Sequence, residues 1–465
     1  MELEFIENLI DKYSSEVDFI DVRINKTSGM ILGTENGKLK RVQSIAVEGL
    51  GIRILKNGCW GIGATDVLDR PLIENAFKRA LSMVSALTKR APAEVKLSEE
   101  KAYRDFCEYK VRIPFEDISL EEKKKLILSI DIDMRKVDPR IIGSYVNYVE
   151  AINEKVYLNS EGANIIQKIP SIFLIFRAIA REGVNLQAYF DVVGGHYGYE
   201  KVREADITRI ATKTAEKAIE MLRAEALKGG EMTVIMDSRV SGTFAHEVFG
   251  HAAEADNVLR AKSFLCGLVG KKIGSEEVSI IDDATIPQAH GSYFYDDEGV
   301  PAQRKILLDK GILKGYMHSR ETAAEMNVNS TGNGRAQGYD RRIYVRMSNT
   351  FIAQGDWSFE EMVEDVKHGI YVEGVSGGME DPIGGGFQVN ALRARLIEKG
   401  EFTKLLKAVS ISGRALEILN NIDAVGKELL LEPGTCGKGY AGDTVPVTTG
   451  GPPVRVKKML VGLAR

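Results

Sequence analysis

The run His246-Glu247-Val248-Phe249-Gly250-His251 places two imidazoles and a carboxylate within six residues. Two neutral imidazoles can bind a metal ion, and a carboxylate beside the first can move protons during hydrolysis. The spacing common among zinc proteases, HExxH, sets its histidines four apart on one helix face, with the glutamate as general base. Here the step is five. At about 100° per residue, five residues rotate a side chain by roughly 140°, too far for both rings to reach one ion from a straight α-helix. A local π-bulge lowers the turn per residue and swings the second ring back, and such bulges favour functional sites. Gly250 lies inside the stretch, where a missing side chain eases backbone distortion. The competing reading is a pair of satisfied core histidines. It is weakened because the chain has only six histidines, at 196, 246, 251, 290, 318 and 368, so an accidental HExxxH is improbable.

A catalytic zinc site needs a third protein ligand and one open position for water. The chain has four cysteines: Cys59, Cys107, Cys266 and Cys436. Cys436 sits in Pro433-Gly434-Thr435-Cys436-Gly437-Lys438-Gly439, where flanking glycines allow close backbone approach and Lys438 could favour the thiolate. Cys59 follows the Asn57-Gly58 turn and reads as a hairpin residue, whereas Cys107 and Cys266 lie in apolar company and read as small core residues. On chemistry alone Cys436 is the best thiolate candidate. Glu254 follows His251 by three and could hold its imidazole as an outer acceptor, which metal-binding histidines usually need; an exposed surface carboxylate is the alternative. Asp296, Asp297 and Glu298 read as a solvated acidic loop, with a carboxylate near Asp296 next in line as a ligand should Cys436 fail. His290 and His318 are further candidates for stabilising a transition state.

These residues must be held by elements the sequence also indicates. Val234–Asp237 reads as a short buried strand, after which Ser241 or Asp237 can cap a helix reaching about Asn257. The N-terminal half reads as mixed α+β: a helix over 3–15, hairpins turning at Asn36-Gly37 and Asn57-Gly58, and a helix from Pro71 to about Leu87. A surface connection over 90–115 follows, then a helix opened by Ser119-Leu120-Glu121-Glu122. Strands resume near 144–149, 155–158 and 172–179, and a helix from Ile207 to about Leu227 bridges into the second half. The C-terminal half reads as strands over 305–308, 313–317, 342–353, 389–398 and 405–410, with one helix over 413–422. Gly374–Gly378 and Gly384–Gly386 lack the Lys-Ser/Thr of a P-loop and fit flexible turns or a lip around a substrate channel. The expected architecture is α+β, with an N-terminal domain over 1–228 and a strand-rich C-terminal domain over 229–465 that begins with the metal-site helix.

Beyond these spacings, the chain resembles the TldD branch of the TldD/PmbA metallopeptidases. The resemblance rests on HEVFGH at 246–251 with Glu254 and Asp256 after it, DDEGVPAQ at 296–303, STGNGRAQ at 330–337, MSNTFI at 347–352, GIYVEGVSGG at 369–378 and PGTCGKGY at 433–440. It implies that His246, His251 and Cys436 bind Zn2+ and that Glu247 drives hydrolysis of peptide bonds. It also implies a dimer, with a PmbA/TldE-like paralogue lacking the motif or with a second copy, around an enclosed cavity.

Composition supports such an enzyme. Apolar residues at 44% and charged residues at 28% are ordinary for globular chains, and 465 residues can fill more than one core. A net charge of −4 gives no basic footprint for direct nucleic-acid binding. The acidic start Met1-Glu2-Leu3-Glu4 is unlike a secretory signal, and Ile172–Phe176 is closed by Arg177, so neither export nor membrane insertion is expected. Four cysteines without a short-domain framework fit reduced thiols in the cytoplasm. The alternative function is a non-catalytic or regulatory subunit of a protease complex, or the DNA-gyrase-linked regulator of the family's older association. A complete His-Glu-His-Cys set argues against the first, and the acidic charge against direct DNA binding.

Overall fold

The computed structural model describes residues 3–88, 94–439 and 442–464. Its N-terminal part is a twisted sheet of long strands. Asn36-Gly37 and Asn57-Gly58 all have positive φ, at 53°, 73°, 48° and 71°, which is the geometry that two-residue hairpins need. They join Phe19–Glu35, Lys38–Lys56 and Cys59–Thr65 into an antiparallel meander, and Ile141–Asn159 and Asn164–Glu182 extend the sheet from its first strand. Period-two alternation divides the work. Ile20, Val22 and Ile24 pack with Ile52 and Ile54 beneath the Leu3–Ser14 and Arg70–Leu87 helices. The intervening Asp21 and Arg23 face the other way, towards residues 298–341. A second cluster seats the Leu120–Lys136 and Ile207–Glu220 helices on Tyr148, Leu174 and Phe176. The sequence-read cap at Ser119 holds, accepting from the Glu122 amide, and Asp69 caps the Arg70–Leu87 helix by accepting from the Leu72 amide.

Several elements differ from the sequence reading. The two short strands expected at 144–149 and 155–158 are one strand, because its polar middle stays paired to both neighbours. Within the expected surface connection, Arg104–Glu108 adds a parallel edge strand along Asn164–Lys168, while 90–93 lie outside the described residues. The helix from Ile207 ends at Glu220, short of Leu227, where Glu220 meets Arg393 of the C-terminal half at 2.8 Å. Met221 and Leu222 turn into the core, and Glu225 exchanges backbone hydrogen bonds with Leu405 and Lys407. Cys266 is exposed and Cys107 half-buried, its thiol bonded to Asp105, so neither is a core residue. No helix among the described residues is long and apolar enough to cross a membrane.

From Gly230 onward the strands dominate. Gly230–Met236 pairs with His368–Asp381 and with Val454–Leu463, and through Val409–Arg414 and Gly386–Glu398 the pairings return to His368–Asp381, closing a ring. A second sheet carries Ile280–Asp283, Asn349–Ile352, Asp443–Gly451 and, at its edge, Leu430–Lys438. The expected strand over 342–353 is broken at Arg346–Ser348, where the Arg346 amide donates to the Asn333 carbonyl and the Ser348 amide and hydroxyl donate to Asp282. The 405–410 strand likewise divides into Glu401–Leu406 and Val409–Arg414.

The Ser238–Thr243 helix leads into the metal-site motif and presses against the second sheet. A Cβ on Gly242 would meet the Gly450 backbone at 2.4–2.9 Å, a contact no rotamer change can relieve. Gly242→Ala should therefore destabilise the protein by about 1–3 kcal/mol, the usual cost of overpacking. Urea unfolding would measure it, and a loss below about 0.5 kcal/mol would contradict the packing described.

Candidate metal centre

Asp237, at the end of a core strand, caps the site helix by accepting the Val240 amide at 2.8 Å. Ser241, the alternative cap, instead sits within the helix and donates to the Pro452 carbonyl at 2.8 Å. After Thr243 the α-helix widens. Phe244–Gly250 is a π-helix, and the His251 amide bonds to the His246 carbonyl five residues back. Five residues then nearly complete one turn, so both imidazoles come to one side with ring centroids 5.3 Å apart. Gly250 serves this in an unexpected way. Its φ of −60° is ordinary helix, and what excludes a side chain is Met347, whose sulfur would lie 2.0 Å from a Cβ. The helical run also ends sooner than expected: a 3₁₀ turn over His251–Ala253 and a separate short helix, Ala255–Leu259, replace the continuation to Asn257.

Cys436 arrives on the Leu430–Lys438 strand, nearly two hundred residues later. Ligand atoms of His246, His251 and Cys436 all lie within 4.8 Å of one another, with Cys436 Sγ 3.6 Å from His251 Nε2. The strand is held from behind by Arg346, fully buried, which donates to the carbonyls of Cys436 (2.5 Å) and Asp443 (3.1 Å). Burial alone would raise the Cys436 thiol, but hydrogen bonding and charge from His246 and His251 outweigh it and hold the thiol down at about 5. Lys438 is not the cause. Its ammonium turns to Glu254 (2.8 Å), Asp256 (2.7 Å) and the Val345 carbonyl.

Glu254 is buried and reaches His251 Nδ1 at 3.2 Å, the arrangement expected of an outer acceptor. Burial raises its carboxyl, yet Lys438 and His251 pull it to about 2, so it stays ionised against the ring. On the other side of that ring, Glu247 Oε2 is 3.6 Å from His251 Nε2, and its carboxylate is partly open to solvent. His246 Nδ1 is buried and has no hydrogen-bond partner among the described residues.

The remaining candidates lie elsewhere. His290 packs on Phe173 and His196, and burial pushes it down to about 3. His318 faces the Thr322 hydroxyl at 3.3 Å. Neither bonds to the four residues above. The 296–298 loop is not solvated. Asp296 and Glu298 are buried, and Asp296 accepts the amides of Glu298, Val300 and Gly334. Glu298 joins the Arg53–Asp21 pair, and Asp297 takes Lys155, so this loop fastens the two halves of the molecule together. One residue escaped the sequence reading: Glu380, on the glycine-rich hairpin, brings a carboxylate within 4.8 Å of Glu247 and His251. Its only sequence signal was its place beside the run of glycines.

The chain is similar along its length to known proteins. Family models described as PmbA/TldA metallopeptidase domain 1, central domain and C-terminal domain match residues 20–84, 113–222 and 229–463. A metalloprotease of Methanocaldococcus jannaschii is 39% identical over 98% of both chains. A zinc metalloprotease TldD homolog of Saccharolobus solfataricus is 30% identical over 96% of both. Among solved structures, a Thermotoga maritima protein described as a candidate modulator of a DNA gyrase matches at TM-score 0.83 and 26% identity, covering 99% of this chain and 100% of that one. TldE from Thermococcus kodakarensis shares the fold, with TM-score 0.79 at 21% identity over 98% of this chain and 100% of its own. With three family models in register along it and metalloproteases as its full-length relatives, the chain belongs to the TldD/PmbA metallopeptidase family.

Proposed function

We propose that this protein is a zinc-dependent peptidase in which His246, His251 and the Cys436 thiolate hold the metal and Glu247 is the general base. The observation that carries the reading is the convergence of two imidazoles and a low-pKa thiol on one point, with His246 Nδ1 left buried and unpartnered. Two nitrogens and one thiolate suit zinc and leave a fourth position open. Zinc, when bound, would acidify a water and polarise the scissile carbonyl. Glu247 would take that water's proton and return it to the leaving amine, so one peptide bond and one water become a carboxylate and an amine. Glu254 keeps the His251 ring oriented with Nε2 towards the metal, and Lys438 and Arg346 fix the strand that delivers Cys436.

The proposed substrates are short or unfolded peptides. The exposed stretch of the Lys38–Lys56 strand over 40–48, with Val42 and Val47 about half exposed, offers a surface for a paralogous TldE-like partner or a second copy. A centre facing a cavity between subunits would exclude folded proteins. Residues 1–228 would form the assembly and scaffold unit and 229–465 the hydrolytic one, working in the cytoplasm, where no disulfide is needed. Metal analysis should find about one zinc per chain, and chelation should abolish cleavage. An unfolded substrate should be cut far faster than its compact folded form. Metal-free protein that cleaves at full rate would overturn the mechanism, and equal rates on both substrates would overturn the cavity alone.

A further inference from the structure

The hairpin of His368–Asp381 and Gly386–Glu398 carries a carboxylate that the hydrolytic reading leaves unused. Glu380 lies on its exposed end, pairing with Phe387, and comes within 4.8 Å of both the Glu247 carboxylate and a ring nitrogen of His251. The end of the hairpin is anchored there. The Phe264 amide donates to the Pro382 carbonyl at 2.8 Å, and the Gly385 amide to the Asp381 carbonyl at 2.8 Å. Lys438, the cation of this centre, is committed to Glu254 and Asp256 and does not neutralise it. A second anionic group therefore faces the reaction zone beside the general base, with no cationic side chain of the described residues paired to it.

We propose that Glu380 binds the free α-ammonium of the substrate, so that the protein removes residues from the amino terminus of peptides; this rests on the peptidase reading above. The reach is right. An α-amino nitrogen lies about 2.5 Å from its own carbonyl carbon, two bonds away, and a charge-assisted hydrogen bond adds about 2.8 Å. A carboxylate that anchors the amine therefore belongs about 5 Å from the point of attack, and a Glu380 oxygen lies within 4.8 Å of the base that must serve the attacking water. The charge is right as well. An ammonium lying against Glu380 offsets the repulsion between two neighbouring carboxylates, whereas an internal peptide bond or a blocked terminus brings a polar but uncharged amide and leaves that repulsion in place.

The test compares a short peptide with its N-acetylated twin, using zinc-loaded wild type and Glu380→Gln, each with its partner subunit if one co-purifies. Wild type should cleave the free-amine peptide with kcat/KM at least about tenfold above that for the acetylated one, releasing the first residue. In Glu380→Gln that preference should fall to below about twofold, mainly through KM, with zinc content unchanged. Equal wild-type rates on the two peptides, or an undiminished preference in the variant, would overturn the assignment. Loss of zinc from Glu380→Gln would also overturn it, since the carboxylate would then be a metal ligand. Failure of loaded wild type to cut either peptide would instead bring down the peptidase reading and this inference together.

Discussion

Glu247→Gln is expected to keep its zinc and lose turnover by about 10²–10⁴-fold, the range a positioned general base supplies. The geometry separates the two roles. His246, His251 and Cys436 form one compact group of ligand atoms, and Glu247, outside that group, lies 3.6 Å from His251 Nε2 and is partly open to solvent, where a water and a substrate can enter. The amide of glutamine keeps the size and can still accept a hydrogen bond, but it cannot take up the water's proton. Metal analysis beside single-turnover cleavage checks both halves. A variant that loses zinc would make Glu247 a ligand, and one that keeps full activity would move the base elsewhere.

The second large effect concerns Cys436. Cys436→Ala should lose zinc more completely than the 10–100-fold weakening typical of removing an outer hydrogen-bond partner, and activity should fall with it. Ala at Cys59, Cys107 or Cys266 should leave metal content unchanged, because none of these lies within the cluster. The same thiol gives a pH signature in zinc-stripped protein. Its acidity near 5 means that the thiolate, the reactive form, grows as pH rises through 5 and is nearly complete by neutrality. An ordinary thiol with a pKa of about 8.5 is only about 1% thiolate at pH 6.5, and Cys107, pushed up to about 12 by burial and its Asp105 hydrogen bond, is less ionised still. Alkylation at pH 6.5 followed by peptide mapping should therefore mark Cys436 first, and added zinc should protect it. Labelling of Cys436 that begins only above pH 8 would contradict the paired environment described.

The candidate metal site was legible because its signals are local. HExxxH fixes its own problem of five residues on one helix, and a π-turn is the local solution that lets both rings converge. The hairpins at Asn36-Gly37 and Asn57-Gly58 and the caps at Ser119 and Asp237 are equally local, since each is written in two to four residues. What the sequence hid is what depends on distant packing. Asp296 and Glu298 look like a surface loop until Arg53 and the backbone of 300–334 close over them. Lys438 looks like a partner for its neighbour Cys436 until the chain places Glu254 and Asp256 in front of it. Arg346 carries no motif at all, and its role follows only from the carbonyls it meets. The helix at Ile207 overran for the opposite reason: its propensity continues past Glu220, but Met221 and Leu222 gain more by entering the core.

The ring of strands beneath the site sets an order of events during synthesis. Gly230–Met236, which aims the two histidines, is flanked by strands that begin at His368 and Val454, and the thiol follows the histidines by 185 residues. Contacts this far apart in sequence form late and slowly. An elongating chain therefore carries His246 and Glu247 long before Cys436 can join them, so on the proposed reading an early-terminated product has no complete hydrolytic centre. On that reading the long separation acts as an interlock: the polypeptide would acquire the means to cut others only once it is itself folded.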